Sequence, residues 1–69
     1  MDAATLTRMA NDIARNLAAQ GPEQAVLATL QHIRDFWDPR MKTAILSADL
    51  SALLPIARQA IERLRTDGL

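Results

Sequence analysis

The chain has 69 residues, with eight Lys+Arg against eight Asp+Glu and no formal net charge. That balance offers no broad basic field for nucleic acid or an anionic membrane surface. Cysteine is absent and there is one histidine, so disulfides and thiolate metal sites are excluded, and no carboxylate spacing makes up a zinc site around the histidine.

The apolar content is mostly Ala, Leu and Ile, valine appears once, and Phe36 and Trp37 are the whole aromatic complement. This is helix material and predicts an all-α fold, a small four-helix domain spanning residues 1–69 with helices at about 3–19, 23–37, 39–48 and 55–66. No apolar run approaches the roughly 18 residues of a membrane span. Met1-Asp2-Ala3 lacks the basic start of a signal peptide, so a cytoplasmic location is expected.

In the first helix, Leu6, Met9, Ala10, Ile13, Ala14 and Leu17 share a stripe at 100° per residue, with Arg8, Asp12, Arg15 and Ala19 opposite. Asp2 or Thr5 can cap it, and Gly21-Pro22 ends it. In the second helix, Val26, Leu30, Ile33 and Trp37 fall in a narrow arc flanked by Leu27 and Phe36. Glu23 and Arg34 suit the two ends of its dipole, and His32 points away from the stripe. Asp38-Pro39 then makes a stop and a restart: Asp38 can accept the free amides of the third helix, and Pro39 fits its first position.

The third helix carries Met41, Ala44, Ile45 and Ala48 inward and leaves Leu46 off that stripe, beside Lys42. Asp49-Leu50-Ser51-Ala52-Leu53-Leu54 connects to a fourth helix opening at Pro55. There Ala57, Ala60, Ile61 and Leu64 face inward, Ile56 sits at the edge, and Asp67-Gly68-Leu69 reads as a frayed end. The leucines around this connection exceed what a tiny core needs and suggest a face buried against another protein.

Chemistry-bearing patterns are missing. There is no Gly-rich phosphate loop, no nucleophile–base constellation and no paired carboxylates on a pocket face. Asp38 has a plain role as a helix cap and Asp35 as a solvated charge, and a lone histidine on a polar helix face is most often an ordinary surface residue. The residues suited to a partner contact are Phe36, Trp37, Arg40 and Leu46, since Trp and Arg dominate binding hot spots and Leu46 lies off its helix's inward face; the alignment of Trp37 with Val26, Leu30 and Ile33 favours the core over an interface, and Phe36 is the aromatic better placed for a contact. No residue is assigned to catalysis, cofactor or metal.

The run His32-Ile33-Arg34-Asp35-Phe36-Trp37-Asp38-Pro39-Arg40-Met41, with Leu6-Thr7-Arg8-Met9-Ala10-Asn11-Asp12-Ile13 and Pro22-Glu23-Gln24-Ala25 upstream, resembles the delta subunit of the NAD-dependent, molybdenum-containing formate dehydrogenases. The resemblance covers Leu6 to Ile61. It implies an accessory subunit with no redox centre of its own, in a cytoplasmic complex that carries molybdenum–pterin, iron–sulfur clusters and FMN. The implied partner is the large catalytic subunit, which this chain would bind and support in assembly or stability. The rival reading is a free-standing helical adaptor or homodimer. A helix-turn-helix at the Asp38-Pro39 corner is disfavoured, because the third helix offers only Arg40 and Lys42 as basic residues.

Overall fold

The computed structural model describes residues 2–67. The order is α1 (Ala3–Leu17), a 3-10 turn (Ala18–Gln20), α2 (Pro22–Phe36), α3 (Pro39–Leu46), a second 3-10 turn (Leu50–Ala52) and α4 (Pro55–Asp67). The described residues are all-α, as the composition predicts.

Each boundary has a local cause. Asp2 accepts the Thr5 N–H at 2.8 Å and opens α1. Gly21, at φ 96° and ψ 154°, closes the first 3-10 turn and precedes α2. A side chain is strained in that region, so the turn needs glycine. Pro22, Pro39 and Pro55 each occupy a first helical position, where the missing N–H costs nothing. Asp38 accepts the Met41 N–H at 2.9 Å and caps α3.

Two helices stop earlier than the apolar pattern suggests. α1 ends at Leu17 and tightens into the 3-10 turn through Ala18 and Ala19. α3 ends at Leu46 rather than Ala48. Ser47 N–H turns back on the carbonyls of Thr43 and Ala44, and Arg65 from α4 donates to the Leu46 carbonyl at 2.6 Å. The last carbonyls of α3 are thus satisfied by a cap and a neighbour rather than by another helical turn. Asp67, expected to fray, is the last residue of α4 and pairs with Arg34 at 3.3 Å. Gly68 and Leu69 lie outside the described residues.

α4 packs most extensively on α2, and α1 lies against both. Arg34 in the last turn of α2 meets Asp67 at the end of α4, so these two helices run side by side in the same sense. The Cα radius of gyration of 10.5 Å is close to the roughly 11 Å of a folded chain this long, and one apolar cluster joins all four helices. It takes Leu6, Ala10 and Ala14 from α1; Val26, Leu30 and Ile33 from α2; Trp37 and Ile45; Leu53; and Ala57, Ala60, Ile61 and Leu64 from α4. The buried alanines let the helix axes approach closely, while each fully buried Leu or Ile contributes about 1.5–3 kcal/mol relative to exposure.

The connector between α3 and α4 is structured. Asn11 Nδ2 donates to the Ala52 carbonyl at 3.1 Å, and its Oδ1 accepts the Leu54 N–H at 2.8 Å. This pins the connector onto α1 and drives Leu53 inward to 4% exposure. The apolar excess expected around this connection therefore shrinks. Leu46 and Leu50 pack partly buried against the core, and of the four leucines only Leu54 stays exposed.

Candidate functional site

The α2–α3 corner is built by the Asp38-Pro39 step. α2 ends at Phe36, and Trp37 leaves the helix in extended backbone (φ −88°, ψ 135°). Its N–H still bonds the Ile33 carbonyl at 3.0 Å. The indole keeps the helical register of Val26, Leu30 and Ile33, and Trp37 is only 5% exposed. Its neighbour Phe36 is 73% exposed. One step of chain thus sends one aromatic into the core and the other into solvent.

Of the four residues read as partner contacts, the structure leaves Phe36 and Arg40 exposed and brings them to one corner. Trp37 is part of the core and offers the surface no ring. Leu46 is half-buried, packed against the core near the end of α3. Its expected off-face position assumed a straight helix running past it, whereas α4 closes over the end of α3 through the Arg65–Leu46 hydrogen bond. Phe36 and Leu46 therefore belong to different surroundings.

His32 lies against Phe36, ring centroids 4.8 Å apart and tilted by 42°. The i,i+4 spacing that brings them together was visible in the sequence. Around the corner, Gln31 donates to Asp35 at 2.8 Å, and Lys42 reaches back to the Arg34 carbonyl at 3.2 Å, closing the end of α2. Arg40 borders an open notch with Asp38 and Met41, over Leu6 and Ala44. Nothing here resembles a closed site in which a general acid or base could be desolvated.

Other surface features lie away from the corner. Leu27 is 46% exposed beside a groove between α2 and α4 that includes Glu23 and Glu62. Leu54 and Pro55 flank a small apolar notch with Ala14 and Ala18. The two carboxyls held below the usual range are helix and turn caps: Asp2, chiefly through the Thr5 N–H, and Asp49, chiefly through Ser51. Among the described residues no group of three His, Cys, Asp or Glu is placed to hold a metal ion. No described helix is long and apolar enough to cross a membrane.

The feature that reading the sequence missed is the Asn11 pin. Asn11 sits on the half-buried side of α1 beside Ala10, where helical spacing gives no reason to choose it, and its partners lie more than 40 residues away in the chain.

A family model described as the delta subunit of NADH-dependent formate dehydrogenase (FdsD) matches residues 5–61. No curated protein and no solved structure matches the chain.

Proposed function

The chain belongs to the formate dehydrogenase delta-subunit family, and from that premise we propose that it is a non-catalytic subunit of a cytoplasmic, NAD-dependent formate dehydrogenase complex. It binds the large molybdenum-bearing catalytic subunit and supports its assembly or stability. The match over residues 5–61 carries this reading. The scarcity of chemistry-bearing side chains agrees with it.

In this reading the molybdenum–pterin site, the iron–sulfur clusters and FMN reside in the other subunits. The subunit acts by mass action: a protein that binds the folded, cofactor-competent form of its partner and not other forms shifts the population toward it, by RT ln(1 + [L]/Kd). Such a role needs an exposed contact on a stable scaffold. The Asp38-Pro39 corner is the candidate, with Phe36 and Arg40 outside and Trp37 packed in the core beside them.

The test is capture of the tagged chain from its native cytoplasm, with mass spectrometry of what accompanies it and a formate-dependent NAD reduction assay. The expected result is a large molybdenum-containing subunit together with that activity. Recovery of the chain alone, or with unrelated proteins, would leave the helical adaptor or homodimer as the better account.

A further inference from the structure

Residues 39–53 carry α3 and the second 3-10 turn, and few of them are buried. Ile45 and Leu53 are the buried two of these fifteen, against five of fifteen in α2 and four of thirteen in α4. α1 buries three of fifteen, but it packs on both α2 and α4, which also pack on each other. α3 rests chiefly on α1 and α4. Lifting it therefore breaks none of the contacts that join the other three helices.

The chain can turn at both ends of this segment without cost to a helix. A residue before proline is kept out of the α region, so no helix runs through Asp38 into Pro39 or through Leu54 into Pro55. On one side Trp37 is held in the core. On the other the Leu54 carbonyl accepts the Arg58 N–H at 2.8 Å and opens α4. Rotation at these two steps moves the segment and leaves α2 and α4 helical.

The segment is held down by Ile45 and Leu53, by partly buried neighbours such as Met41 and Leu46, and by four hydrogen bonds. Lys42 donates to the Arg34 carbonyl and Arg65 to the Leu46 carbonyl. Asn11 supplies the other two, to the Ala52 carbonyl and from the Leu54 N–H. The Asn11 and Arg65 bonds are exposed, so water competes for each partner. Segments with few buried apolar contacts and solvent-facing hydrogen bonds open at less than the global unfolding free energy. α3 has eight residues, too few to stay helical in water once lifted, so lifting and melting are one event.

We infer that residues 39–53 form a strap that opens as one unit while α1, α2 and α4 stay packed, and that Asn11 is its catch. The test is hydrogen exchange of the intact chain, amide by amide, in native buffer and at rising denaturant below the unfolding transition. Relative to their unstructured rates, the Lys42–Ala48 amides should exchange about tenfold or more faster than the slowest amides of α2 and α4. They should also depend less on denaturant, because opening the strap exposes less surface than unfolding. Asn11→Ala should speed these α3 amides about tenfold, although its hydrogen bonds go to residues 52 and 54. Val26→Ala, in α2 beside Gln59 and Glu62 of α4, should speed the slowest α2 and α4 amides about fivefold or more and leave the α3 amides unchanged.

Acceleration by Asn11→Ala confined to residues 52–54 would overturn the single unit and the catch. Acceleration of the α3 amides by Val26→Ala would overturn the separate opening. So would wild-type α3 amides that share the rate and denaturant slope of the slowest α2 amides, a reading that holds even where Val26→Ala does not fold.

Discussion

Thr29 is fully buried on α2, and its hydroxyl has no hydrogen-bond partner among the described residues. An unmade buried hydrogen bond costs about 1–3 kcal/mol, so Thr29→Val, which keeps the shape and removes the hydroxyl, should leave stability equal or raise it by up to about 1 kcal/mol. Chemical denaturation of the two proteins reads this directly. The adjacent aromatics should diverge just as clearly. Trp37→Ala empties a core position and should cost about 3–5 kcal/mol, a large part of the stability of so small a domain. Phe36→Ala should stay within about 0.5 kcal/mol of wild type, and thermal melts will separate them. The apolar spacing placed Trp37 inward and Phe36 at the flank of the same stripe. It could not show that no other described element covers Phe36.

At the scale of elements, the caps carry the boundaries. Asp2 is held ionised chiefly by the Thr5 N–H, and Asp49 by the Ser51 hydroxyl and N–H. A carboxyl whose folded pKa is depressed adds stability above its unfolded pKa, about 3.9, and that contribution is lost as pH falls through the lower folded value. The melting temperature should therefore drop below about pH 4, and Asp2→Asn with Asp49→Asn should flatten that part of the profile. The side-chain hydrogen bonds that hold the connector to α1 come from one residue. Asn11→Ala removes both hydrogen bonds to residues 52 and 54 and should cost about 1–2 kcal/mol. Hydrogen exchange should show faster opening of the Leu53 and Leu54 amides before the rest of the core. The helix starts were legible because Asp, Gly and Pro act on their own neighbours. The ends of α1 and α3 were less so, because a 3-10 turn in one case and Arg65 from another helix in the other decided where the pattern stopped.

For the whole molecule, a partner that binds only the folded chain should stabilise it by about 2.7 kcal/mol at a hundredfold excess over Kd. In a domain this size that corresponds to an upward melting shift of roughly 10 °C or more, so a melt of the chain alone against the chain in its captured complex should show that gap. No such shift in an intact complex would argue against a stabilising role in either direction, since the coupling is mutual. The all-α class, the four helices, their caps and the family were all readable in 69 residues. Each rests on local rules: helical spacing, turn chemistry, and a signature run around the Asp38-Pro39 step. What the tertiary structure alone decided is which apolar residues remain outside. Leu46, Leu50 and Leu53 look alike in sequence to Leu27 and Leu54. The first three are wholly or partly covered because α4 closes over the end of α3 and Asn11 pulls the connector down. Burial depends on which distant element arrives to cover a side chain, and no window along the chain contains that information.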